Sequence, residues 1–362
     1  MESRRTYLSK LTTISAAGVT GSLAGCMGDE SENTMDIASS PIGLQLMIHR
    51  IMEEEGLLEK YGEPAGIEYN IQETWDSVAL LAGDQVDMAV SVGAAEAAQI
   101  GPEREIELAM HGVMLTQYPG MIVREDSEYA TSETGGVQES WDAIQEDQAA
   151  VGIGGWGLSM TPLAGLIHND VFGYDFSEDG DYNILTADFA SLPTLLADGE
   201  LDVAQTSPFN DASSLNYNPE TDEMDGFEAL YWITDKMGDM GYDPLSCSIG
   251  NFLTRADFSD ENHEAVTGFV SAWQEAVDIF YQDDPTEFVT DFVNEFNAED
   301  EEEAQAMVEW TMNRNHEVLT SNVEIDEQFI ENDLAALERM SEIGVVGEDW
   351  DDWITYNPVS VE

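Results

Sequence analysis

The chain has 362 residues, with 75 Asp and Glu against 11 Lys and Arg and a formal net charge of −64. That field argues against nucleic acid as a partner, since such recognition needs clustered Lys and Arg. A hydrophobic content of 43% argues equally against a disordered acidic chain. Two cysteines, Cys26 and Cys247, are too few for a disulfide framework or a Cys-based zinc site.

The chain opens Ser3-Arg4-Arg5-Thr6-Tyr7-Leu8-Ser9-Lys10, which resembles a twin-arginine export signal. The small, apolar stretch from Leu11 to Ala24 is too short to span a bilayer, where about 20 apolar residues are needed. It ends Leu23-Ala24-Gly25-Cys26, which is similar to a lipoprotein box, where the chain is cut before a cysteine that then carries lipid. Residues 1–25 are expected to be a removed signal, and 26–34 a lipidated cysteine with a polar tether. The expected location is the extracellular face of the cell membrane, held there by Cys26. Cys247 then has no partner and is expected to be a small buried residue. Without residues 1–25 the chain keeps 8 basic and 74 acidic residues, a charge of −66. Self-repulsion of that size opposes a compact state, but in molar salt the Debye length falls to roughly 3 Å. A folded protein adapted to high salt, of haloarchaeal type, is expected.

Some 330 residues remain, more than one core of ordinary size, which suggests two lobes. Met35 to Ala38 reads as a strand. Ser39-Ser40-Pro41 follows and suits a helix start, with apolar residues Leu44, Met47, Ile48, Ile51 and Met52 at helical spacing. Ile67 to Ile71 reads as a strand, Ser77 to Ala82 as a short helix, and Val86 to Val92 as a buried strand. The order restarts with a strand over Ala149–Ile153, a glycine loop, and a helix from about Ser159 to His168. A strand at Tyr182–Thr186, a helix at Ser191–Ala197 and a strand at Leu201–Gln205 follow. Beyond Asp257 the chain reads as mostly helical, with apolar faces at Val266, Phe269, Val270, Trp273 and Val277, and at Phe329, Leu334, Leu337, Met340 and Ile343. Alternating strands and helices imply parallel sheets with crossover helices.

An internal echo organises this pattern. Leu81-Ala82-Gly83-Asp84-Gln85-Val86-Asp87-Met88-Ala89 corresponds to Leu196-Ala197-Asp198-Gly199-Glu200-Leu201-Asp202-Val203-Ala204. Each is a helix end, a turn with glycine at the left-handed position, an Asp and a buried strand. Each strand runs into a small-residue loop, Ser91-Val92-Gly93-Ala94 and Thr206-Ser207-Pro208-Phe209-Asn210. Matched loops at strand ends of two α/β lobes frame a cleft.

Taken with Glu55-Gly56-Leu57-Leu58-Glu59-Lys60-Tyr61-Gly62 and Gly154-Gly155-Trp156-Gly157-Leu158-Ser159, the echo resembles the solute-binding proteins of ABC importers. Within them it is most similar to the family binding nitrate, sulfonates, taurine or thiamine-pyrimidine precursors. The resemblance covers roughly residues 36–345. It implies an α/β, two-lobed type II periplasmic binding protein fold, each lobe a mostly parallel sheet flanked by helices, with a helical C-terminal region. It also implies two chain crossings, fitted by 118–123 and 246–253. Lobe one would be 35–122 plus 252–362, and lobe two 123–251. The implied partners are a small solute and the permease and ATPase subunits of an importer, with the chain acting as a monomer, without a cofactor and not as an enzyme. An enzyme of the same fold, as in pyrimidine-precursor synthesis or menaquinone-pathway dehydration, and a receptor-coupled sensor are the alternatives. The former are intracellular, and the synthases carry a cysteine cluster absent here.

Candidate ligand contacts follow from the loops. Ser39, Ser40 and Pro41 form the first-lobe loop, and Gly155, Trp156, Gly157 and Ser159 its counterpart, where helix N-terminal N–H groups can hold an anion or polar group. Gly152 to Gly157 also matches the dinucleotide pattern G-x-G-x-x-G, but mid-chain and in an exported protein. Trp75 follows a strand and suits either stacking or the core. Gly93 and Ala94 would face Ser207, Phe209 and Asn210 across the cleft. Asp188 could accept a bond from a ligand donor, and Tyr118 could reach the cleft from a crossing. Asp175, Ser177, Asp179 and Asp181 partly resemble a calcium loop, but Thr186 stands where a Glu is needed. The five histidines show no metal spacing, no metal site is expected, and no nucleophile motif appears.

Overall fold

The computed structural model describes residues 34–41, 43–116, 119–242, 250–282, 293, 298, 300–313 and 318–361. The expected signal, Cys26, Tyr118 and Cys247 lie outside the described residues. The strands in chain order are β1 (Thr34–Ser39), β2 (Glu68–Glu73), β3 (Met88–Val92), β4 (Leu108–Leu115), β5 (Gly120–Arg124), β6 (Ala150–Ile153) and β7 (Asn183–Thr186). They continue with β8 (Val203–Thr206), β9 (Tyr217–Asn218), β10 (Glu223–Met224), β11 (Phe227–Trp232), β12 (Gly250–Arg255) and β13 (Ile354–Tyr356).

Two sheets result. The first has the order β13-β4-β12-β3-β1-β2 and the second β11-β5-β8-β6-β7, with β9 and β10 forming a small hairpin. Both are parallel-rich and mixed: β1 pairs in parallel with β2 and β3, and β6 with β7 and β8, whereas β5 and β12 run antiparallel to their neighbours. The chain leaves the first sheet between Leu115 and Gly120 and returns between Asp239 and Gly250. Of the expected crossing segments, Met121, Ile122, Val123, Phe252 and Leu253 form parts of β5 and β12, each bonded on both sides and fully buried. Strands β4 and β13, absent from the expected elements, extend the first sheet.

The local chemistry explains most boundaries. Helix Gly43–Glu54 buries Leu44, Met47, Ile48, Ile51 and Met52, and packs against helix Ala256–Gln282. There the His49 ring meets Trp273 edge-on at 5.4 Å. Burial, then the neighbouring Arg50 charge, lowers the His49 pKa to about 3, so this histidine is a neutral core residue. Helix Ser77–Ala82 stands as expected.

The echo has a physical basis. Asp87 Oδ2 accepts the N–H of Asp36 at 2.8 Å, and Asp202 Oδ2 accepts the N–H of Ala150 at 2.8 Å. Each Asp also donates its own N–H back, to the Asp36 and Ala150 carbonyls at 2.8 and 2.9 Å. The repeated Asp thus ties β3 to β1 and β8 to β6 at the point where pairing begins. The turn before it departs from expectation in the first copy. Gly199 takes the left-handed conformation (φ 74°), but its partner is Asp84 (φ 55°), while Gly83 has φ −88°. Asp tolerates that region better than most side chains, and Arg255 pairs with Asp84 at 2.6 Å.

The C-terminal helices reach both sheets. Helix Glu301–Asn313 sets Trp310 5.5 Å from Trp232, beside β11. Helix Glu327–Glu342 packs against both helix Ala94–Arg104 and helix Met160–Ile167. Its Arg339 forms two bonds to Asp170, at 2.6 and 2.9 Å.

Candidate ligand-binding cleft

A cavity of ≈ 230 Å³ opens between the two sheets. From the first-sheet side it is lined by Ser40, Trp75, Ser77, Ser91 and Glu96. From the second it is lined by Gly154, Leu158, Ser159, Met160, Asp188 and Phe189. These residues sit at or just beyond the carboxyl ends of β1, β2, β3, β6 and β7, where open α/β sheets bind ligands.

Ser91 arrives there through a strained backbone. β12 pairs Asn251 with Val92 and Phe252 with Val90, so Ser91 is the extra residue of a bulge. Its φ is 73°, in the left-handed region that a serine seldom adopts. The Asn251 amide donates to the Val92 carbonyl at 2.9 Å beside it. Bulges re-aim a side chain at the cost of local strain, and this one brings Ser91 to the cavity wall.

Glu96 lies in the first turn of helix Ala94–Arg104. The Ser159 hydroxyl, from the opposite lobe, donates to Glu96 Oε2 at 3.2 Å. Burial pushes the Glu96 carboxyl up to about 8, and the Ser159 bond opposes this only in part. The carboxyl is therefore largely neutral at pH 7. Trp75 is 61% exposed at the rim. Leu158, Met160 and Phe189 supply apolar wall.

Among the described residues, no basic side chain lines this cavity. Arg50, Lys60, Arg104, Lys236 and Arg339 are engaged with Glu53, Glu275, Glu103, Asp239 and Asp170. Arg124 donates to the Leu196 and Leu201 carbonyls at 2.7 and 3.0 Å, and Arg255 is held by Asp84.

Of the residues expected from sequence, the structure brings Ser40, Trp75, Ser159 and Asp188 to this cavity. The others lie elsewhere. Ser39 is buried and donates to Gln45 Oε1 at 3.3 Å, and Pro41 precedes the helix. Gly93 is the extended residue before helix Ala94–Arg104, and Ala94 packs beside Leu163, Leu337 and Met340. The Gly155 carbonyl accepts from Thr161 Oγ1 at 2.7 Å, Trp156 is half-buried against the core, and Gly157 is exposed. Ser207 and Phe209 are buried, and the Asn210 amide donates to Thr206 Oγ1 at 2.9 Å. The expected facing of Gly93 and Ala94 against Ser207, Phe209 and Asn210 does not occur at the cavity. β8 is central in its sheet, and the residues after it turn into the core.

Ser77, Ser91, Glu96, Gly154, Leu158, Met160 and Phe189 were not among the expected contacts. Glu96 had a signal, an acid set among alanines just after a strand-end loop. Gly152, first of the G-x-G-x-x-G pattern, lies within β6, where a Cβ would stand 2.3 Å from Leu201 Cδ1. It serves sheet packing, not a phosphate turn. In the acidic loop, Asp181 Oδ2 accepts the Asp175 N–H at 2.8 Å, closing a turn.

No family model matches the sequence, and no curated protein matches it. Solved structures do. The periplasmic aliphatic sulphonate binding protein SsuA from Escherichia coli aligns with TM-score 0.63 and 14% identity, covering 90% of this chain and 98% of that one. The periplasmic nitrate-binding protein NrtA from Synechocystis PCC 6803 aligns with TM-score 0.60 and 11% identity, covering 89% and 86%. The ligand binding component of an ABC-type import system from Staphylococcus aureus, with zinc bound, aligns with TM-score 0.59 and 13% identity, covering 90% and 97%. The fold is thus the two-lobed type II periplasmic binding protein fold.

Proposed function

We propose that this chain is the extracytoplasmic solute-binding component of an ABC importer, exported by the twin-arginine route and anchored by lipid on Cys26. It captures a small solute, either a nitrate-, sulfonate- or taurine-like anion or a thiamine-pyrimidine-like heteroaromatic. It delivers that solute as a monomer to permease and ATPase subunits, and it works in high salt. The observation that carries the reading is the cavity itself, walled by strand ends of both sheets, with Ser159 bonded to Glu96 across it. A solute touching both walls favours the closed arrangement, and its differential contacts drive closure about the two crossings. The similar importer components among solved structures support the same role.

Small-angle scattering in molar KCl, run against a broad solute panel, tests it. One solute should reduce the radius of gyration and raise the melting temperature, since a ligand at 100 times its Kd adds about 2.7 kcal/mol. A panel spanning anions, amines and heteroaromatics that produces neither effect would sink the proposal.

A further inference from the structure

Resting on the binding role above, we propose that the cleft selects a flat, positively charged solute, such as a protonated aromatic amidine or amine, with the Glu96 carboxylate as its anchor. Four features of the cavity lead there.

The first is charge. Glu96 and Asp188 approach from opposite lobes, and among the described residues no Lys, Arg or His lines the wall. The described Lys and Arg side chains are committed elsewhere by ion pairs or backbone carbonyls. An incoming anion would meet two carboxyl groups and, among the described residues, no counter-charge, whereas a cation would gain a partner in Glu96. Glu96 stands in the first turn of helix Ala94–Arg104, where the positive helix end favours the ionised carboxylate that a bound cation would pair with.

The second is hydrogen-bonding capacity. Ser40 and Ser77 are 7% and 3% exposed, line the cavity, and their hydroxyls make no hydrogen bond among the described residues. These hydroxyls face the cavity and are available to a ligand that brings donors or acceptors of its own.

The third is shape. A volume of ≈ 230 Å³ equals about eight waters at roughly 30 Å³ each. One ring compound fills that space, whereas a three-oxygen anion leaves most of it wet. Trp75, largely exposed at the rim, offers a face for stacking and for cation–π attraction.

The fourth concerns Glu96 itself. Its carboxyl is held up to about 8 by burial without a cationic partner. A ligand cation supplies that partner and draws the group to its ionised form.

The test uses two probes of the same ring and opposite charge, benzamidine and benzenesulfonate, with nitrate as a third. Binding is followed by calorimetry and closure by scattering, in molar KCl, where a Debye length of roughly 3 Å removes the general pull of the acidic surface on cations. Benzamidine is expected to bind and to compact the protein, and the two anions to do neither. Glu96→Gln, checked for an unchanged fold by its melting curve, should weaken benzamidine by at least about tenfold. Ser40→Ala, which removes a single hydroxyl, should weaken it severalfold. If an anion binds and compacts the protein while benzamidine does not, this inference falls and the binding role stands. If benzamidine binds Glu96→Gln as well as the unaltered chain, the anchor assignment is overturned. If none of the three probes binds, the inference falls, and the broader panel above decides the binding role separately.

Discussion

Asp87 and Asp202 perform one task in two places. Each accepts a backbone N–H from the neighbouring parallel strand and returns its own. Removing the acceptor leaves a half-buried N–H without its partner, so Asp202→Ala is expected to destabilise the protein by about 1–3 kcal/mol. Asp202→Asn keeps an acceptor oxygen and should retain most of that stability, which chemical denaturation of both variants can measure. The identity of these residues was legible in the sequence because a similar nine-residue segment occurs twice. Their role was not, because the partner N–H groups lie 51 and 52 residues away. Glu96 and Ser91 show the same limit at the site. An acid in an alanine-rich first turn is visible in sequence, but its bond to Ser159 joins residues 63 apart. The bulge at Ser91 exists only because β12, contributed by a distant stretch of chain, skips one residue in pairing with β3.

Helix Glu327–Glu342 joins helices from the two sheets. Asp326 caps it, its Oδ1 accepting the Phe329 N–H at 2.7 Å. Phe329, Ala336, Leu337 and Met340 form its buried face. Phe329, Leu337 and Met340 of that face were legible from helical spacing, whereas Leu334, expected on it, is exposed. The surfaces it covers were not. It packs against helices Ala94–Arg104 and Met160–Ile167, one from each side of the cleft. Asp326→Ala is expected to cost about 1 kcal/mol and to lower the melting temperature without altering solute affinity, because the cap is not among the cavity residues. A loss of affinity larger than the loss of stability would show that the helix helps set the closed arrangement. Buried strands of the parallel type were equally legible, because apolar runs and helix-ending turns are local chemistry. β4, β5 and β12 were harder to assign, since a run buried on both faces carries no alternation to reveal it.

The scale of the whole molecule is governed by charge. Where 75 acidic residues face 11 basic ones, a described ion pair such as Arg50–Glu53 does little to offset the excess, and exposed pairs of this kind contribute at most about 1 kcal/mol. Screening by salt has to do the rest. The unfolding midpoint is expected to rise steadily from about 0.1 M to molar KCl, as the Debye length falls from roughly 10 Å to 3 Å, and circular dichroism across that range checks it. A midpoint independent of salt would show that the compact state tolerates its own field. By itself the sequence determined the acidic character, the alternation of strands and helices, and the duplicated turn-and-strand unit, because each is written in composition or in neighbouring residues. The tertiary structure alone decided which polar groups meet in the cleft. Ser40, Ser77, Ser91, Glu96, Ser159 and Asp188 come from six separate points along the chain, and only the closing of two sheets on each other gives them a common space.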